Sequence, residues 1–326
     1  MNSNSLTDIS RPIKSELDTF DAIFRQTMRS KIGLLDLVAR YIIRQKGKKI
    51  RPLLSLLSAK ISGGINERTY RGSVLIELLH TATLIHDDVV DNADKRRGMW
   101  SINKVFKNKV SVLMGDYLLA RGLMIAVDGK DYDFLGVISN AVKRMSEGEL
   151  LQIQKTRKLD IDEETYFQVI SDKTASLIET CCLIGSLSAT ENTDYHSAMK
   201  EFGQNLGLAF QIRDDILDYE GSTLLIGKPV GGDIKEKKIT LPLIYSLNRV
   251  SKNKSSEIKK IIKNGANKSD LKAVIDFVRA NNGIEYALVK AKDYSTKAKA
   301  SLEIFPDSPT KLALQALVDF VIERKN

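Results

Sequence analysis

The chain has 326 residues, 43% hydrophobic and 28% charged, with two cysteines and a formal charge of +9 from 50 Lys and Arg against 41 Asp and Glu. It is long enough for a large buried core. The adjacent pair Cys181 and Cys182 excludes a disulfide framework and a cysteine metal site, and reads as small core residues in a reducing compartment. The surplus of positive charge leaves nucleic acid, a membrane surface or a phosphorylated substrate open as partner.

At the N-terminus, Asp8 and Glu16 interrupt the basic-then-apolar order of a secretory signal. No run of about 18 uncharged apolar residues follows anywhere, which excludes a membrane-spanning helix on that criterion. The expected location is the cytoplasm. Next comes Gly47-Lys48-Lys49-Ile50-Arg51-Pro52, which sets Lys48 and Arg51 three residues apart before an apolar helix over 53–59. Leu75, Leu78, Leu79, Ala82, Ile85 and Val89 then recur at spacings of three and four, the period of a helix face. None of the six prolines lies between Pro52 and Pro229, and hairpin signals are nearly absent. Breaks fall at 62–66, 92–100, 128–133, 159–163, 191–195, 220–233 and 264–270. The expectation is an all-α protein, one large helical domain over residues 1–326 with a central cavity.

Acids end the helix that contains Leu75: His80 is followed by His86, Asp87, Asp88 and Asp91. Asp87 and Asp91 stack one turn apart with Asp88 beside them, and like charges at that spacing are mildly unfavourable. One such cluster is equally well explained as a solvated helix end. The pattern returns as Gln211, Arg213, Asp214, Asp215 and Asp218, again Asp-Asp, two apolar residues and Asp, closing the apolar helix over 202–212. Two acidic faces brought opposite each other make a set of hard oxygen ligands of the kind Mg²⁺ shares with substrate phosphates. The EF-hand spacing for calcium and the His-x-x-x-His pair for zinc are missing.

Cations accompany the acids. Asp94-Lys95-Arg96-Arg97-Gly98 follows the first cluster, Lys173-Thr174-Ala175-Ser176 opens an apolar helix, and Gly227-Lys228-Pro229 with 233–238 makes a basic loop after the second. Any one of these alone reads as a solvated surface residue. Walker, dinucleotide and Ser-His-Asp signatures are absent.

These segments together resemble the trans-isoprenyl diphosphate synthases, the polyprenyl synthetases, near the medium- and long-chain members such as octaprenyl diphosphate synthases. The likeness runs from the segment at Gly47 to Thr240-Leu241-Pro242-Leu243-Ile244. It implies a prenyltransferase of the helical isoprenoid-synthase fold, acting as a homodimer with about three Mg²⁺ ions. The implied reaction is head-to-tail condensation of isopentenyl diphosphate onto an allylic diphosphate such as farnesyl or geranylgeranyl diphosphate, supplying quinone side chains. The resemblance implies that Asp87, Asp88 and Asp91 hold Mg²⁺ from one side and Asp214, Asp215 and Asp218 from the other. It assigns Arg96, Lys173, Thr174, Gln211, Lys228 and Lys238 to the allylic diphosphate, and Lys48, Arg51, His80 and Arg97 to isopentenyl diphosphate. His80 lies seven residues before Asp87, on nearly the same helical face. Lys237 stands where the family has glycine.

Short-chain members carry an aromatic residue four or five positions before the first Asp, where it caps the product tunnel; here these are Thr83 and Ala82. The next turn down, about 5.4 Å deeper, has Leu78 and Leu79. A long product is expected, about C30 to C50 with octaprenyl favoured, its end set on another helix by Met145, Val142 or Ile138. A short-chain synthase is the alternative; a terpene cyclase or head-to-head synthase would not need Lys48, Arg51 and Arg97. A noncatalytic subunit would usually lack one Asp motif. A nucleic-acid binder has only the charge in its favour. The surplus charge lies elsewhere: residues 252–272 carry seven lysines against Glu257 and Asp270, a solvated face that also suits peripheral contact with anionic membrane.

Overall fold

The computed structural model describes residues 5–45, 47–96, 98–220 and 231–324. Helix α1 (Leu6–Ser10) passes through a 3₁₀ turn into α2 (Lys14–Thr27), followed by α3 (Gly33–Arg44), α4 (Ile50–Ser62), α5 (Glu67–Val90), α6 (Ile102–Asp128) and α7 (Tyr132–Lys158). Helices α8 (Glu163–Ile170) and α9 (Ser176–Ala189) are joined by one π-helical turn, Ser171–Ala175, and α10 (Thr193–Glu220) follows. The C-terminal part holds α11 (Gly232–Lys235), α12 (Leu241–Asn248), α13 (Lys252–Lys263), α14 (Lys268–Ala280), α15 (Gly283–Ala300) and α16 (Pro309–Glu323). Strands are confined, among the described residues, to a two-residue antiparallel hairpin after the first acidic cluster, β1 (Lys95–Arg96) with β2 (Met99–Trp100).

Local chemistry accounts for the helix starts. Asn66 caps α5 by accepting from the Thr69 backbone N–H at 3.0 Å, while the Thr69 hydroxyl accepts the Asn66 N–H at 3.2 Å. Asp162 caps α8 through the Thr165 N–H at 2.8 Å, and Ser308 caps α16 ahead of Pro309. Lys49, two residues after Gly47, and Asn282, directly before Gly283, take left-handed φ values of 50° and 56° ahead of α4 and α15. The helical spacing of α6 hides an interruption at Lys107, where φ is 72°.

One expectation is corrected. Lys173 and Thr174 do not begin a helix; they sit in the π turn within a run of helix from residue 163 to 189. Among the described residues α6 is long and apolar enough by length and composition to cross a bilayer, with 33% of that stretch buried. Asp116 and Arg121 near its middle keep it from being a charge-free run.

Two apolar cores meet along α10. The first gathers Leu54, Leu57, Leu75, Leu78, Ile184 and Phe202 from α4, α5, α9 and the start of α10. The second gathers Tyr166, Ile212, Ile216, Leu241, Val274 and Ala287 from α8, the end of α10 and the C-terminal helices. Each fully buried Leu or Ile contributes about 1.5–3 kcal/mol, so this shared spine, packed between α9 and α15, is fixed firmly. The acidic ends of α5 and α10 therefore project from rigid supports.

Candidate active site

Both acidic clusters lie at helix C-termini, Asp87 to Asp91 on α5 and Asp214 to Asp218 on α10. That end of a helix already carries partial negative charge, so carboxylates there are misplaced unless a cation completes them.

The six aspartates divide by burial. Asp87 and Asp91 are exposed on one face, and among the described residues neither forms an ion pair. Asp88, one residue round the helix, is 2% exposed, and its Oδ1 accepts from Arg96 Nε at 2.9 Å and Nη2 at 2.5 Å. Arg96, read from the sequence as a diphosphate ligand, thus ties the hairpin to α5. Partial burial raises the Asp87 carboxyl, and the nearby Glu149 and Asp91 carboxylates raise it further against the pull of Lys173. Glu149 and Lys173 therefore stand close to the first cluster.

On α10, Asp214 is exposed and accepts from Arg324 Nη2 at 3.0 Å, a contact from the end of α16. Asp215 is 5% exposed; its two oxygens accept from Tyr166 OH and Gln211 Nε2, each at 2.7 Å. Asp218 caps α11, accepting from the N–H groups of Gly232 at 2.9 Å and Asp233 at 3.1 Å. Burial pushes Asp215 well up, with the Asp233 carboxylate adding to it, and burial beside Asp218 carries Asp233 to about 6.

A cavity of about 120 Å³ opens between these elements, lined among others by Gln152, Tyr166, Lys173, Thr174, Gln211, Asp215, Asp233 and Lys238. The π turn aims Lys173 Nζ at Gln152 Oε1, 2.8 Å away, and at Glu149. Thr174 donates to Gln211 Oε1 at 2.9 Å, which extends one hydrogen-bonded chain from Thr174 through Gln211 and Asp215 to Tyr166. Burial works against the Lys238 ammonium, but Glu236, Asp233 and Glu149 outweigh it and keep it protonated. Lys237 takes φ 60°, so the chain keeps a left-handed turn at the family's glycine position with a lysine in it. Residues 233–238, expected as a loop, begin within α11.

Lys173, Thr174, Gln211 and Lys238 are thus brought together, with Asp87 alongside. Asp215 also lines the cavity, whereas the other expected diphosphate ligands are not among its lining residues or fall outside the described residues. Lys48 is exposed and lines a different recess with Asp21 and Lys49, Arg51 is half-buried at the start of α4, and His80 is 7% exposed within α5. Arg97 and Lys228 fall outside the described residues. His86 faces α6, its Nε2 lying 3.2 Å from the Val112 carbonyl. Ala82 and Leu79 are buried in the first core with Ile138, and Thr83 bonds the His80 carbonyl. Sequence reasoning passed over Glu149, Gln152, Tyr166 and Arg324, which share no spacing with the Asp motifs and meet them only in space.

The donors fit Mg²⁺ by type. Among the described residues no three carboxylate, imidazole or thiol groups converge on one point. A divalent ion here would rest on Asp87 and Asp91, or on Asp214, and complete its shell with water and diphosphate oxygens, the usual habit of Mg²⁺. Burial is the first cause of the upward shifts of Asp87, Asp215, Asp218 and Asp233, and neighbouring carboxylates add to it.

The polyprenyl synthetase family model matches residues 33–278. The octaprenyl diphosphate synthase of Escherichia coli is 33% identical over 320 residues, spanning 98% of this chain and 99% of that one. Among solved structures, a polyprenyl synthase from Caulobacter crescentus complexed with calcium and isoprenyl diphosphate superposes with a TM-score of 0.91 at 31% identity over 100% of both chains. A geranylgeranyl pyrophosphate synthase from Bacteroides thetaiotaomicron gives 0.83 at 37% identity, over 99% of this chain and 100% of that one.

Proposed function

Because the chain belongs to the polyprenyl synthetase family, we propose that its cavity binds an allylic diphosphate and extends it with isopentenyl diphosphate to a long all-trans product, about C30 to C50. The observation that carries this reading is the placement of Lys173, Thr174, Gln211 and Lys238 around one cavity close to the first acidic cluster. The C1–O bond of the allylic substrate breaks with its electron pair leaving on diphosphate. The isopentenyl double bond then attacks C1, and loss of a proton restores an alkene.

The chain's residues act on the charge that develops on the leaving group. The Lys173 and Lys238 ammoniums and the Thr174 hydroxyl are fixed before reaction, so little reorganisation accompanies bond breaking. Gln211 is oriented by Asp215, which Tyr166 holds in turn. Mg²⁺, when bound by Asp87, Asp91 and Asp214, supplies the remaining charge to the diphosphate oxygens. In this reading Asp88, Asp215 and Asp218 support the site without ligating the metal. Lys48, Arg51, His80 and Arg97 are assigned to isopentenyl diphosphate. The product is read to grow along the α5 face of Ala82 and Leu79, where Ala82 and Thr83 stand at the positions that are aromatic in short-chain members, within one domain covering residues 1–326.

The enzyme is further read as a cytoplasmic homodimer. On α6, Val112, Leu113, Met124 and Val127 are exposed along one helical stripe, the kind of apolar face that a second copy of the chain covers.

With Mg²⁺, farnesyl diphosphate and labelled isopentenyl diphosphate, the protein is expected to incorporate label into an apolar product. Diphosphate release without incorporation, the behaviour of a cyclase, contradicts the assignment.

A further inference from the structure

The π turn at Ser171–Ala175 is held by groups outside the ligand set. Such a turn inserts one residue into a helix at the expense of regular hydrogen bonding, and is found where neighbours support it. Arg144 of α7 supplies much of that support. Its Nε donates to Asp172 Oδ1 at 2.8 Å, Nη1 to Glu179 Oε2 at 2.8 Å and Nη2 to Ser171 Oγ at 3.1 Å. One planar fork thus joins the start of the turn, the residue before Lys173 and the first turn of α9. Gln204 of α10 donates to the same Ser171 hydroxyl at 2.7 Å. Glu179 is 6% exposed, and Arg144 is the nearer of its two cationic partners, Lys200 Nζ lying 3.8 Å from its other oxygen.

Packing closes the turn from both sides. A Cβ on Gly148 of α7 would lie 3.0 Å from the Lys173 backbone nitrogen, and one on Gly207 of α10 would lie 2.5 Å from Ala175 Cα. A methyl group on Gly207 would clash outright, and one on Gly148 would require the turn to shift by a few tenths of an ångström.

We propose that Arg144 is a positioning residue for the allylic diphosphate: it fixes the π turn in the register that presents Lys173 and Thr174 to the cavity. Losing the inserted residue would rotate the following helix by about 100° relative to the preceding one, and the two side chains would leave the wall they now line. Lys173 and Thr174 as diphosphate ligands are the premise, and the test separates that premise from the role of Arg144.

Steady-state kinetics are measured for Lys173→Ala, Arg144→Lys and the double variant, with each substrate varied and thermal melts alongside. Arg144→Lys retains the charge and loses the three-armed fork; Asp172→Asn, which removes one arm and keeps its shape, serves as a milder second variant. Lys173→Ala is expected to raise the allylic KM about tenfold or more. Arg144→Lys should raise it about tenfold and leave the isopentenyl KM within about twofold, with a combined effect smaller than the product of the two. Asp172→Asn should move the allylic KM the same way by less. The role of Arg144 is overturned if Arg144→Lys or Asp172→Asn lowers the melting temperature with the allylic KM unchanged, if both KM values rise equally, or if the effects multiply. An unchanged allylic KM in Lys173→Ala overturns the ligand assignment and the proposal with it.

Discussion

Asp87 and Asp88 are adjacent and chemically identical, yet one is exposed and the other is locked to Arg96. Asp87→Ala should leave the fold intact and lower turnover by about 10² or more, the loss of one preorganised contact to developing charge. Asp88→Ala should instead cost about 2 kcal/mol of stability, because Arg96 loses a buried partner; a melt and a rate on each variant distinguish them. The sequence shows six aspartates as one class because spacing reports identity before environment. In each motif the first and last residues share a face while the second lies about 100° round the helix, where the core begins. Asp233 provides a pH signature. Its folded pKa of about 6 exceeds the ordinary carboxylate value through burial, then Asp218, Glu236 and Asp214, with Lys238 opposing. A raised pKa means that the folded state binds the extra proton, so this group weakens the fold as pH rises from about 4 to 6. Without metal, Asp233→Asn should therefore raise the melting temperature at pH 7, and the gain should vanish by about pH 4; an equal gain at both pH values would contradict it.

Helix periodicity and the absence of proline made the all-α class readable, and the breaks at 62–66, 128–133 and 159–163 fall where Gly, Asn and Asp stop or cap helices. The π turn was hidden, since Lys173-Thr174-Ala175-Ser176 carries no local signal for an inserted residue; it exists because Arg144, Gln204 and two glycines from distant elements hold it. The Lys107 interruption was equally hidden, because a lysine gives no local sign of the positive φ it adopts there, whereas Asn282 before Gly283 carries an ordinary turn signal. Helix α5 bears on product length. Ala82 sits buried five residues, about 1.4 turns, before Asp87, so Ala82→Tyr should place a ring across the path and shorten the product by several isoprene units, as read by chain-length chromatography. An unchanged length would show that the product runs along another face.

Across the whole molecule, the charge of +9 pointed to no partner because the site itself nearly balances its acids and bases. The lysines of α13 and α14 surround Ile258, Ile262 and Leu271, which are buried, so these helices turn a basic outer face to solvent. Sedimentation with anionic vesicles should show binding that fades with salt if this face receives a membrane on which a long lipid product is released, and no binding if it is only solvated. The family and reaction were legible from two Asp motifs with their flanking cations, whereas which of those residues are buried and which exposed required the fold. The most direct test is chromatography of the product made by the wild-type protein from farnesyl diphosphate and labelled isopentenyl diphosphate in the presence of Mg²⁺. A ladder ending between about C30 and C50 is predicted; a final product of C15 or C20, or no extension at all, would contradict the account.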